Sequence, residues 1–212
     1  MTRLGWVASL SAAALLLPAC ATLVAPHAVS TAVVDTDPHA AIAVYATADD
    51  LPLRDVLVTL RPMDVPATAQ PPASAALDLM HRHFEPLVLA VPVGTAVSVH
   101  NLDDVDHELY SFSPALPFSL HLAAKGGSGA VTAARAGVVV LGCKVHDEMV
   151  GYLYVTDAPY FGKTDSDGYL RLAGLKPGRY TLGVWRAPGT DEAHARTLTL
   201  AAGTEEAVRL RF

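Results

Sequence analysis

The segment from Val138 to Val155 constrains the fold more than any other part of the chain. Two apolar runs rich in β-branched and aromatic residues, Val138-Val139-Val140-Leu141 and Gly151-Tyr152-Leu153-Tyr154-Val155, enclose a short polar loop. Such side chains fit a pleated, half-buried surface, so the pattern predicts strand, loop, strand. The loop carries Cys143, His146 and Met149 at C-x2-H-x2-M spacing, which brings a thiol, an imidazole and a thioether to one strand end.

A thiol so placed needs an explanation. The sequence has 2 cysteines, and the first, Cys20, belongs to an N-terminal leader. Arg3 precedes an apolar run from Leu4 to Leu17 that is too short to span a bilayer comfortably and suits the core of a secretory signal. Residues 1–21 therefore read as a signal peptide and the protein as exported to the periplasm. Small residues around Ala19-Cys20-Ala21 suit ordinary cleavage; Leu17-Pro18-Ala19-Cys20 resembles a lipobox, which makes a lipid anchor at Cys20 the alternative and the only membrane attachment expected. Either way Cys143 is left without an internal disulfide partner in an oxidising compartment, and is either buried and inert or held by a metal.

The upstream chain supplies a second imidazole. Phe84 to Val99 reads as two extended stretches around a Gly turn, followed by a polar loop from Asn101 to Asp106, and His107 then opens a new strand, His107-Glu108-Leu109-Tyr110-Ser111. Two imidazoles, one thiolate and a weak axial thioether are what an ion cycling between Cu(I) and Cu(II) favours. Zinc is a weaker candidate because structural zinc sites seldom use a thioether. A Cys143–His146 nucleophile and base lacks an evident orienting third group, so no enzymatic activity is expected.

These residues resemble a known family. FEPLVLAVPVGTAVSVHN, DDVDH and GCKVHDEM together look like the cupredoxins, the small blue-copper β-sandwiches, over residues 75 to 156. The resemblance implies His107, Cys143 and His146 as equatorial ligands, Met149 as axial ligand, and Asn101 as a brace for the ligand loops. It also marks two departures, Glu108 after the first histidine and Gly142 before the thiol, where the surroundings of the ligands are expected to differ. YSFSPALPF and APYFGKTD are similar to segments of proteins labelled methylamine utilization protein.

The rest of the chain reads as a second module. Thr164 to Leu172 and Leu175 to Val184 give short alternating strands with turn residues between them and resemble the carboxypeptidase-regulatory or transthyretin-like sandwich. Fifty-odd residues are few for such a sandwich, and Leu51 to Leu60 resembles its opening strands. The expected architecture is all-β: a cupredoxin Greek-key β-sandwich at 75–156, and a small transthyretin-like, Ig-like sandwich made discontinuously from 33–62 and 157–212, with 63–74 as linker.

Charge sharpens the functional expectation. Residues 33–155 hold 6 Lys/Arg against 14 Asp/Glu, a balance of −8, whereas residues 156–212 hold 8 against 7. That field repels nucleic acid and attracts cations and basic proteins. Asp103, Asp104, Asp106, Glu108, Asp147 and Glu148 are expected to form an acidic collar around the ligands. The function expected is a one-electron carrier with one copper per chain, serving a redox partner such as a basic c-type cytochrome or a periplasmic dehydrogenase. Copper delivery or storage, with help from Met80 to His83, or an envelope interaction module without electron transfer, are the alternatives. His81, His83, His100, His121 and His194 read as solvated side chains, Asp165-Ser166-Asp167-Gly168 as a turn rather than a calcium loop, and Tyr152, Tyr154 and Trp185 as core.

Overall fold

The computed structural model describes residues 39–67, 70–189 and 193–212, so the leader, with the cleavage and lipidation sites around Cys20, lies outside the described residues. Among the described residues there are seventeen strands and no helix. The first three are β1 (Ala40–Ala48), β2 (Leu51–Pro52) and β3 (Leu57–Pro62). Next come β4 (Ser74–Met80), β5 (His83–Glu85), β6 (Val88–Pro92), β7 (Thr95–Asn101), β8 (His107–Ser111), β9 (Phe118–Leu122), β10 (Ser128–Ala133), β11 (Gly137–Cys143) and β12 (Val150–Thr156). The last five are β13 (Tyr160–Lys163), β14 (Tyr169–Leu175), β15 (Gly178–Trp185), β16 (Ala193–Leu200) and β17 (Glu205–Arg211).

These strands form four sheets. Two are made only of central strands, in the orders β10-β7-β4-β5 and β6-β12-β11-β8-β9. Their inward faces share one core that includes Leu79, Leu109, Val139, Leu141, Leu153 and, among the hydrocarbons, Cys143 and Met149. The other two sheets are β14-β1-β17, with β2 added to β1, and β13-β3-β15-β16. Ile42, Val44, Val58, Leu60, Tyr180 and Val184 fill the space between them. Strands β1 and β3, which precede residue 63, thus hydrogen-bond to strands that follow residue 157. Each pair of sheets is a β-sandwich in which alternate residues face inward.

Alternation explains why the sequence signals were legible. In β8, His107, Leu109 and Ser111 are buried while Glu108 and Tyr110 face outward; in β11, Val139, Leu141 and Cys143 are buried and Val140 and Gly142 face outward. A one-residue slip would turn His107 and Cys143 outward and expose Leu109 and Leu141, so the apolar pattern fixes the ligand orientation as well.

The two sandwiches meet through a third cluster. Val88 and Tyr154 from the central strands pack with Leu57 and Trp185 from the other sandwich, with Tyr152 and Phe161 at the margin. Trp185 is 1% exposed, its ring centroid lies 5.5 Å from that of Tyr154 and 5.7 Å from that of Tyr152, and its indole N–H donates to the Gly189 carbonyl at 2.7 Å. The three aromatic residues are packing residues.

Candidate metal centre

Register brings the site residues to one end of the central sandwich. Strand β11 pairs antiparallel with β8 through Gly142↔Tyr110 and Cys143↔Leu109, so β8 begins where β11 ends. The ladder runs one step further, where the Lys144 amide donates to the Glu108 carbonyl at 2.9 Å. His107 therefore stands beside Cys143 although 36 residues separate them. The link from β11 to β12 is a tight loop in which the Met149 amide donates to the His146 carbonyl at 3.1 Å, returning the thioether to the sandwich interior.

The nitrogen and sulfur atoms offered by His107, Cys143 and His146 all lie within 4.8 Å of one another. His107 Nδ1 is 3.6 Å from Cys143 Sγ, and the imidazole centroids of His107 and His146 are 5.1 Å apart. His107 is fully buried and Cys143 is 3% exposed. His146 is half-buried, yet its Nδ1 is buried with no hydrogen-bond partner. A buried imidazole nitrogen left without a donor or acceptor is costly, and it is most simply accounted for as a ligand atom. Met149, 1% exposed, belongs to the same core cluster as Cys143. Soft sulfur and imidazole nitrogen in a dry pocket suit copper better than a hard cation, so the residues present fit that metal.

Surrounding residues hold these atoms in place. Asn101, at the end of β7 and fully buried, donates through Nδ2 to the carbonyls of Val105 at 2.8 Å, Ala123 at 3.0 Å and Leu122 at 3.2 Å, while its Oδ1 accepts the Asp103 amide at 3.0 Å. One side chain thus fastens the loop before His107 to the loop after β9. The Val145 amide donates to Cys143 Sγ at 3.4 Å and orients the sulfur.

Asp103 has a different place from the one its position in an acidic run suggests. Its side chain is 10% exposed, and Oδ2 lies 2.9 Å from His107 Nε2, which leaves Nδ1 free to face the sulfur. The same carboxylate accepts the His81 amide at 2.6 Å and the Arg82 amide at 2.9 Å. Partial burial pushes its carboxyl upward, but the Arg82 amide, the His107 ring and the His81 amide together hold it below the ordinary carboxylate range. His81 and Arg82 form the tip of the β4–β5 hairpin with φ of +55° and +61°, unusual for two non-glycine residues. Asp103 therefore joins that turn to the imidazole and fixes the ring that would hold the metal.

The remaining collar residues divide. Glu108 faces outward and is ion-paired with Lys144, whose cation holds its carboxyl below the ordinary range; it also accepts the Ser119 hydroxyl at 3.3 Å. Asp106 accepts the Ala124 amide at 2.8 Å. Asp104, Asp147 and Glu148 are exposed. The acidic collar expected of these six residues is therefore divided: Asp103 and Asp106 brace backbone amides, Glu108 is ion-paired, and Asp104, Asp147 and Glu148 lie exposed.

Gly142 is explained by Tyr110. A Cβ on Gly142 would come within 2.7 Å of Tyr110 Cζ and 2.8 Å of its hydroxyl oxygen, so the phenol ring lies close over the glycine next to the cysteine. The space a side chain at position 142 would take is filled from the neighbouring strand. Sequence reasoning missed Tyr110 and the bracing role of Asp103; a glycine opposite an outward aromatic, and a carboxylate four residues before a buried histidine, are the signals that could have found them. The polar stretches read as non-sites fit that reading: His81 and His83 are exposed, His100 Nδ1 pairs with Asp78 at 2.8 Å, and Asp165 Oδ1 accepts the Asp167 and Tyr169 amides, both at 2.9 Å, to form a turn.

No family model matches the chain, and no curated protein does. Among solved structures, the chain is similar to a purple cupredoxin from Nitrosopumilus maritimus, with 24% identity over 39% of this chain and 99% of that one and a TM-score of 0.35. It is similar to amicyanin in the reduced W45Y form, with 23% identity over 42% of this chain and 98% of that one and a TM-score of 0.36. It also resembles a copper-containing nitrite reductase from Thermus scotoductus, with 23% identity and a TM-score of 0.36, covering 52% of this chain but 28% of the reductase.

Proposed function

We propose that this protein is a mononuclear type 1 blue-copper protein that carries one electron in the periplasm or at the cell envelope. The observation that carries the reading is the buried trio of His107 Nδ1, Cys143 Sγ and the unpartnered His146 Nδ1, with the Met149 side chain in the same core. Bound copper would supply a one-electron couple through a strongly covalent thiolate bond. The protein's part is to keep the ligands still. Asp103 holds the His107 ring from behind, Asn101 fastens the loop that precedes it, the strand end holds Cys143, and the tight 146–149 turn holds Met149, so little rearrangement accompanies a change of oxidation state. His146, the half-buried member, is the natural exit for the electron.

In this reading no substrate bond is made or broken. The exposed Asp104, Asp147 and Glu148 favour a basic redox partner, a c-type cytochrome or a periplasmic dehydrogenase, over nucleic acid. Residues 75–156 are the copper domain, inserted into the discontinuous sandwich of 33–62 and 157–212. Excision of 75–156 is expected to give a fragment that still folds and binds copper; a fragment that does so only when 33–74 is retained overturns the insertion.

The decisive experiment is addition of Cu(II) to the mature chain. An intense visible thiolate-to-copper charge-transfer band is expected in wild type and is expected to vanish in Cys143→Ser. A colourless wild type would overturn the proposal.

A further inference from the structure

The β4–β5 hairpin is clamped at the ligand end of the central sandwich. Its turn, His81-Arg82, has φ of +55° and +61°, as a type I′ turn requires, and Asp103 takes both turn amides while its Oδ2 meets His107 Nε2 at 2.9 Å. The Leu102 amide donates to the Leu79 carbonyl at 2.9 Å, so the hairpin lies along the loop that leads into His107. The clamp fixes the pair that closes the turn, Met80 and His83, which stand directly opposite each other.

Both members of that pair face outward, away from the buried Leu77, Leu79 and Phe84. Met80 is 41% exposed, and His83 is exposed as well. Directly opposed residues of antiparallel strands hold their Cβ atoms about 5 Å apart, so a thioether and an imidazole share one patch of surface. His83 is solvated, as its sequence suggests, but the fold decides which nitrogen it offers. Nδ1 lies 2.7 Å from the His81 carbonyl, and a carbonyl only accepts, so Nδ1 carries the hydrogen and the neutral ring presents Nε2 as an open lone pair. One ring nitrogen tied to a backbone carbonyl, with the other left free, is how metal-binding histidines are usually held. The surrounding charge favours a cation. Asp78 and Glu85 form the next outward row, Asp78 engaged by His100 at 2.8 Å and Glu85 exposed, against Arg82, the only Lys or Arg between residues 74 and 85.

We propose that Met80 Sδ and His83 Nε2 form a surface Cu(I) site that receives copper as cargo and passes it to the His107, Cys143 and His146 centre. The inference rests on the copper reading above and names how that centre is filled. A thioether selects a soft cation and is a poor ligand for zinc, calcium or magnesium, while cuprous copper accepts thioether and imidazole together. A pair of donors on an open face holds an ion loosely, which suits a site that must release it, and the buried donors hold it more tightly, so transfer runs inward. The transfer is ligand exchange at constant oxidation state. Met80 and His83 let go, Cys143 releases its thiol proton to water, and the thiolate and the two buried imidazoles take the ion; no electron moves.

The test is an anaerobic titration of the isotope-labelled mature chain carrying Cys143→Ser, which removes the sulfur of the centre, with Cu(I) added as its acetonitrile complex. Shifts are expected at the Met80 methyl and the His83 ring. Met80→Leu or His83→Gln, added to that chain, should weaken binding roughly tenfold or more in competition with a chromogenic Cu(I) chelator. His81→Asn, which suits the same left-handed backbone, should bind like the chain without it. With Cys143 intact, Met80→Leu combined with His83→Gln is expected to slow filling of the centre from Cu(I) roughly tenfold, while the visible band and electron paramagnetic resonance spectrum of the filled, oxidised protein stay those of wild type. Absence of shifts at Met80 and His83, or filling of the double variant at the wild-type rate, would overturn the receiving site and leave the copper reading standing. Cu(I) held at Met80 and His83 by a wild-type chain that stays colourless with Cu(II) would overturn the copper reading, and the inward transfer with it.

Discussion

The two sandwiches use the same layering but fill their interiors differently. Between the sheets formed by β1, β3 and β13–β17 the buried side chains are almost all hydrocarbon, and the one large polar member, Tyr180, places its hydroxyl against the Lys176 carbonyl at 2.7 Å. The central sandwich sets Cys143 and Met149 into its core and adds a fully buried His107 and Asn101 at one end. Apolar filling stabilises in proportion to area and tolerates substitution of like for like. A buried polar cluster stabilises only when each member is satisfied, so it is rigid when complete and costly when one partner is removed. The contrast teaches where stability and chemistry reside in this chain: the second sandwich is a plain packed body, and the first spends part of its interior on a preset site.

That contrast can be broken or sharpened by substitution. The largest effect is expected at the shared seam: Trp185→Ala removes the ring between Tyr152 and Tyr154 and should cost about 3–5 kcal/mol, read from denaturant unfolding of the metal-free chain. A loss well under 1 kcal/mol would show that the sandwiches do not support each other. Next is Asp103→Ala, which frees the His107 ring and the β4–β5 turn while leaving the second sandwich untouched. Copper affinity is expected to fall by about 10–100-fold, the usual consequence of losing a carboxylate behind a metal-ligating histidine. An unchanged affinity in a competitive chelator titration would show that the site is held without it.

The smallest effect belongs to the second sandwich. Arg179 bonds Asp64 through its amide and Nε, both at 2.9 Å, and holds that exposed carboxyl below its ordinary value of 3.8. A depressed carboxyl contributes stability that is present above 3.8 and is lost as pH falls through its folded-state value, so Arg179→Met should lower stability slightly at neutral pH and flatten the acid-side slope below pH 3.8, with the two proteins converging at lower pH. A change in the copper spectrum of this variant would contradict the separation of roles.

Much of the centre was legible in the residue pattern because the relevant information is local. Cys143, His146 and Met149 sit on one short loop between two apolar runs, and alternation along β8 and β11 dictates which side chains turn inward. Asn101 likewise stands at a strand end, where an amide can satisfy loop carbonyls. Charge was the poorer guide. Asp103, Asp106 and Glu108 look alike in a run of acids, but which of them stays in water depends on the amides and cations the fold brings near.

What the sequence determined by itself, then, was the class of elements, the inward set of the strands β8 and β11, and which sulfur- and nitrogen-bearing side chains gather at one end of the central sandwich, all of which follow from side-chain chemistry and a two-residue period. Only the tertiary structure decided that β1 runs antiparallel to β14 and parallel to β17, that Tyr110 lies on Gly142, and that Asp103 reaches both His107 and the tip of a distant hairpin. The physical reason is the same in each case: these are contacts across strands, set by register and by the closing of one sheet over another, and no window of adjacent residues contains them.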